Sequence, residues 1–215
     1  MDKTSYLYLM IAQTDTGIGS VIRTLSRFPY NHAALTLDPS LRRWVAFGRY
    51  IHNLPLYGGF INEPVERYLA KGQDIPVRIF RLEVTQEKYQ QLEQLFSLAG
   101  NQDNGLLYNF YDLVANYFGQ KIPIPGAYTC LGFACAVLER EFLSFRELNA
   151  YLGPYLYYDG TLSALVSDSG SRTDIYFSNI ALPRAAWHSA RHMAALAART
   201  FRPGHTDIVA QQLRG

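Results

Sequence analysis

Apolar residues run almost unbroken through residues 5–12 (SYLYLMIA), the pattern of a strand covered on both faces. The turn-rich QTDTG follows and leads into a short amphipathic stretch, IGSVIRTLSRF. Residues 31–38 (NHAALTLD) alternate apolar with polar or small, as a second strand does, and the turn DPS closes it. Residues 43–48 (RWVAFG) predict a third strand in a hairpin with the second. RYIHNLPLYGGFINEP, rich in Gly, Pro and Asn, reads as a loop, and PVRIFRLEV (76–84) as another strand. Thr85 is placed to cap a helix in which Tyr89, Leu92, Phe96 and Ala99 share one face. Residues 106–118 (LLYNFYDLVANYF) predict a second, very aromatic helix, broken by KIPIPG. A third spans 129–141 with Thr129 as its cap and Leu131, Ala134 and Leu138 on one side. Beyond the Ser/Gly-rich GTLSALVSDSGSR, residues 173–177 suggest a short strand and 184–200 an Ala/Arg helix. The sum is an α+β pattern, an antiparallel sheet with helices segregated against it.

Composition narrows this picture only slightly. Of 215 residues 48% are hydrophobic and 18% charged, enough to fill a core without a long apolar run. No stretch approaches the ~18 residues of a membrane span, so integral membrane association is not expected. The net charge of +2 does not point to nucleic acid. Five Arg lie from Arg184 onward against one acid, Asp207, so the end of the chain is mildly basic. The start, MDKTSYLYLMIAQTDTG, opens with an acid and has no small-residue cleavage site. It suggests a chain made in the cytoplasm without a cleaved signal, with specialised export left open.

The chemistry starts at Cys130. The context Tyr128-Thr129-Cys130-Leu131-Gly132-Phe133-Ala134 sets this thiol in the first turn of a helix. Free N–H groups and the helix dipole favour a thiolate there, and the same N–H groups can donate to an oxyanion. A buried structural cysteine is the alternative reading, and it is the reading for Cys135, deeper in the helix. A nucleophilic cysteine needs a base. His32, at the start of a strand and flanked by Asn31 and Ala33, is rigidly aimed; His52 sits in the Gly/Pro loop and is weaker. His188 and His192 are four apart on a helix, yet no third ligand accompanies them, so neither metal nor cofactor is expected.

Five segments occur in this order: Tyr30-Asn31-His32-Ala33-Ala34-Leu35, Phe47-Gly48-Arg49, Gly58-Gly59-Phe60-x-x-Glu63, Tyr108-Asn109-Phe110 and Tyr128-x-Cys130-x-x-Phe133. Together they resemble the circularly permuted branch of the NlpC-type papain-like cysteine hydrolases, over roughly residues 5–165. The resemblance implies a permuted papain-like domain over 1–170; the tail, 171–215, lies outside it and is expected to be a C-terminal helical extension packed on the same domain. It implies Cys130 as nucleophile and His32 as base. Many relatives orient the imidazole with a polar residue on the strand after the His. Here that strand, Arg43-Trp44-Val45-Ala46-Phe47, has no carboxylate or amide, so the role falls to a backbone carbonyl or to Glu63. Leu131 also departs from the small hydroxyl residue usual beside the thiol. Asn31, Arg49, Tyr108 and Tyr128 lie in the same motifs and are the expected substrate-binding residues. Arg49 is the candidate to hold a carboxylate, or else to pair with Glu63 or Glu66.

The activity implied is that of a cysteine amidase or peptidase, with peptidoglycan stem peptides as first substrate. The enzyme would serve in housekeeping or as a secreted antibacterial effector with an immunity or carrier protein as partner. Two rivals remain. One is lipid acyl transfer or phospholipase action of the lecithin-retinol acyltransferase-like type, for which the aromatic helix 106–118 could form an apolar entrance. The other is a non-catalytic binding module in which Cys130 and His32 are relics.

Overall fold

A computed structural model describes residues 4–14, 28–69, 74–167, 169–201 and 206–214. The chain is α+β, with a curled, mixed sheet packed against helices. Eight strands make the sheet: β1 (Ser5–Ala12), β2 (His32–Thr36), β3 (Arg43–Arg49), β4 (Gly58–Pro64), β5 (Pro76–Val84), β6 (Leu107–Tyr108), β7 (Ala127–Tyr128) and β8 (Leu156–Thr161). They lie in the order β7-β6-β4-β3-β2-β1-β5-β8. β1 pairs antiparallel with β2 on one side and β5 on the other. A separate core covers each of its faces, which is why its sequence barely alternates. The helices are α1 (Val65–Tyr68), α2 (Gln86–Ser97), α3 (Phe110–Tyr117), α4 (Cys130–Leu138), α5 (Phe145–Leu152), α6 (Leu182–Thr200) and α7 (Ile208–Arg214).

Side-chain parity along the strands divides the interior into two cores. Leu7, Leu9 and Ile11 of β1, Ala33 and Leu35 of β2, and Val45 and Phe47 of β3 face the first, which α2, α4 and α5 cover. Tyr8, Met10 and Ala12, then Ala34, then Trp44 and Ala46, face the second with Val65 and Tyr68 of α1. Phe133 of α4 is fully buried in the first core, its ring 5.3 Å from Phe47 and 5.1 Å from Phe60. Truncating it leaves a ring-sized hole between helix and sheet. Phe133→Ala is expected to cost ~3–5 kcal/mol, read as a lower midpoint in urea unfolding.

Several elements differ from the sequence reading. The sheet is mixed rather than antiparallel, because β6 and β7 pair in parallel. Residues 58–64, read as loop, form β4 and pair along all of β3. The helix expected over 106–118 starts only at Phe110. Asn109 accepts from Asp112 N at 2.9 Å as its cap, and Leu107–Tyr108 before it is a strand. Residues 173–177 contain a 3₁₀ turn, Ile175–Phe177, instead of a strand, since the Asp174 side chain accepts from Tyr176 N. The amphipathic 18–28 stretch, except Phe28, lies outside the described residues. The C-terminal segment shares the main core: Leu196 of α6 and Val209 of α7 are fully buried in it. Among the described residues no helix is long and apolar enough to cross a membrane.

Candidate active site

Cys130 opens α4. Thr129 caps that helix in extended conformation, its Oγ1 accepting from Gly132 N at 2.9 Å and its carbonyl from Phe133 N at 2.9 Å. The N–H groups of Cys130 and Leu131, in the same first turn, have no acceptor within the helix. A Cβ at position 132 would stand 3.2 Å from the capping oxygen, so glycine there keeps the cap tight. Cys130 is 5% exposed. Cys135 is also free and buried, with Phe142 N donating to its sulfur at 3.3 Å. Burial pushes the Cys135 thiol up and keeps it protonated.

His32 is the first residue of β2, and its ring lies close enough to the Cys130 side chain for the two to interact electrostatically. Its Nε2 donates to Glu63 Oε2 at 2.7 Å, so Nδ1 is the nitrogen left for the thiol. The Tyr68 hydroxyl donates to the same Glu63 oxygen. Cys130 comes from the first core and Tyr68 from the second, and His32 bridges them at the start of its strand. The sequence pointed to Glu63 only by elimination and missed Tyr68 altogether.

Gly48 opens the path that Glu63 takes. The Leu35–Val45 pairing of β2 and β3, carried three residues on, sets Gly48 beside His32. Glu63 pairs with Trp44 in the β3–β4 register, further along the sheet. Its side chain must therefore run back over a face made of small residues, Ala34, Ala46 and Gly48. A Cβ at position 48 would lie 2.8 Å from Ile61 Cδ1 and 3.2 Å from Glu63 Oε1. Gly48→Val is therefore expected to fold but to displace the carboxylate, lowering turnover ~10²-fold, the scale of a ~1 Å misplacement. A steady-state assay alongside thermal melting checks this.

Burial by itself would lower the His32 pKa, but the Glu63 carboxylate and then the Cys130 side chain overcome it and push it up to about 10. Burial would raise the Glu63 carboxyl, and His32 holds it below its usual value, helped by Arg67 and the Tyr68 hydroxyl. At neutral pH the ring is an imidazolium against a carboxylate.

The expected substrate-binding residues divide. Tyr108 is buried, and after burial the Cys130 side chain acts on its hydroxyl most strongly, then Arg49; the phenol is driven well up and stays neutral. Arg49 is half-buried, donating through Nη1 to His52 O at 2.7 Å. It does not make the anticipated pair: Glu63 goes to His32, and Glu66 to Arg42 and Ser169. Asn31 is fully used by Thr14, accepting from its N at 2.8 Å and donating to its O at 2.9 Å, which ties the start of β2 to the end of β1. Tyr128 turns its hydroxyl to Asp207 Oδ2, 2.7 Å away, rather than to the thiol. His192 is spent on Tyr108 O at 3.0 Å and His52 on Tyr176 O at 2.9 Å. Among the described residues, no group of three or more His, Cys, Asp and Glu side chains is arranged to hold a metal ion.

Comparison of the chain with protein-family profiles, with curated proteins and with solved structures finds no match in any of the three.

Proposed function

We propose that the chain is a cysteine hydrolase of permuted papain-like, NlpC-type fold that cleaves an amide bond. One observation carries this reading: a thiol at a helix N-terminus, an imidazole and a carboxylate, from three distant points of the chain, come together, the imidazole hydrogen-bonded to the carboxylate and coupled electrostatically to the thiol. That is the constellation of an activated nucleophile, its base and the group that orients the base. In the reaction the Cys130 sulfur attacks the carbonyl carbon. The developing oxyanion takes hydrogen bonds from first-turn N–H groups of α4 and from the neutral Tyr108 hydroxyl. His32 gives its proton to the leaving amine, and water, deprotonated by His32, then releases the acyl group. Glu63 holds the ring and stabilises its charge throughout.

The first substrate to test is the peptidoglycan stem peptide, whose amides and carboxylates suit a site with Tyr108 and Arg49 at its edge. Arg49 has guanidinium donors beyond the one used by His52 and can take a carboxylate. A housekeeping role, or export as an antibacterial effector with an immunity or carrier protein, would follow from that substrate. A second reading has an observation of its own. Val114 and Phe118, in and just after α3, are 61% and 71% exposed, an apolar surface that acyl transfer from lipid would use. Purified muropeptides and phospholipid vesicles incubated with the protein, and with Cys130→Ala, separate the two by mass spectrometry. Muropeptide cleavage lost in the variant supports the amidase; lipid cleavage alone replaces it with the acyltransferase. No thiol-dependent turnover of either leaves the binding module.

A further inference from the structure

The C-terminal segment grips the two short paired strands that precede the nucleophile. β6 and β7 are two residues each, paired only through Leu107–Ala127 and Tyr108–Tyr128, and strands this short do not hold a register unaided. Arg199 of α6 spans their approaches, donating through Nη2 to Gly105 O at 2.6 Å and through Nη1 to Gly126 O at 3.3 Å. His192, two turns earlier on the same face of the helix, donates to Tyr108 O. Asp207 accepts from the Tyr128 hydroxyl with Oδ2 and, with Oδ1, from Ala210 N at 3.1 Å, so one carboxylate both starts α7 and holds the residue two places before Cys130. Burial and Asp207 keep the Tyr128 phenol protonated, a constant donor. Both ends of the grip are anchored, since Leu196 and Val209 are fully buried in the main core.

We propose that Asp207 is a positioning residue for Cys130, acting through Tyr128, and that the C-terminal segment is thereby a working part of the active site. This rests on the reading of Cys130 as a nucleophile. Tyr128 also packs against Phe47, 5.3 Å between ring centroids, so a released hydroxyl lets the ring and the turn behind it shift against β3. A displacement of the sulfur by ~1 Å relative to His32 is enough to slow its chemistry ~10²-fold, and loosening one hydrogen bond should give part of that.

The test follows alkylation of Cys130 by iodoacetamide in the full chain at neutral pH. Peptide mass spectrometry reads Cys130 and Cys135 separately, and thermal melting is recorded for each variant. Asp207→Ala and Tyr128→Phe should each slow Cys130 ~10-fold, with the double variant no slower than either. Asp207→Asn keeps an acceptor for the phenol and should return to within ~2-fold of the wild-type rate. Melting shifts with unchanged Cys130 rates, or an Asn variant no better than Ala, would overturn the proposal. A wild-type Cys130 no faster than Cys135 would instead count against the hydrolase reading itself, so the two failures are told apart.

Discussion

Cys130→Ala is expected to lower turnover by ~10³-fold or more while the protein stays folded, because in the proposed mechanism bond formation to the substrate begins at this sulfur. The substitution removes one atom from a site whose packing comes from Leu131, Phe133 and Ala134 of the same helix. Cys135 cannot stand in for it. Its sulfur is buried, holds the Phe142 N–H, and is kept as a neutral thiol. Cys135→Ala should accordingly retain wild-type turnover within ~2-fold, as expected where no transition-state contact is lost. The burst of p-nitrophenolate from p-nitrophenyl acetate reads both, since it reports acylation of the sulfur whatever the natural substrate. A burst surviving in Cys130→Ala would remove the thiol from the mechanism.

Glu63→Gln should be the next largest loss, ~10²–10⁴-fold in kcat, by analogy with the loss of a histidine-orienting carboxylate elsewhere. The amide keeps the size and accepts from His32 through its oxygen, but not the charge. In the wild type the carboxylate is the main force holding His32 up near 10. Without it only the Cys130 side chain opposes the lowering by burial, so the ring holds its proton less tightly and the imidazolium that protonates the leaving amine loses its stabilising charge. Stability changes with pH in a defined direction. His32 binds its proton more tightly in the folded state, so its contribution is complete below about 6.5 and fades as pH rises through about 10. Glu63 is held low, so its contribution is complete above about 4.5 and fades as pH falls through its folded value. The melting temperature of the wild type should exceed that of Glu63→Gln most between about pH 4.5 and 6.5, and the gap should narrow towards both extremes. A constant gap across pH would show that the charge pair does not form.

Much of this was legible because it was written in local patterns. Thr85 and Thr129 announced helix starts that the structure shows as side-chain caps on Lys88 N and Gly132 N. The almost unbroken apolar run of β1 marked a strand inside the sheet, and the apolar positions of PVRIFRLEV marked its neighbour β5. The missing pieces depend on partners distant in sequence. Gly58 and Gly59 look like loop residues, yet they lie in β4, where Gly59 sits opposite Gly48. β8 pairs with β5 at the sheet edge and is largely exposed, so no alternation marks it. Asn109 was readable as a cap, with Asp112 three residues on, but was overrun by the apolar residues around it. Tyr68 sits on a four-residue helix with no periodicity to find, and its role exists only through Glu63. Tyr128 and Asn31 adjoin the reactive residues in sequence, but Asp207 and Thr14 claim their polar groups.

The most direct test of the account is a ¹⁵N NMR titration of the His32 ring in the wild type, Glu63→Gln and Cys130→Ala proteins. The coupled arrangement predicts an imidazolium that persists to about pH 10 in the wild type and a lower titration point in both variants, because each removes one of the two groups that hold the proton. A wild-type ring that titrates near the ordinary 6.5, unmoved by either substitution, would contradict the claim that Cys130, His32 and Glu63 act as one unit.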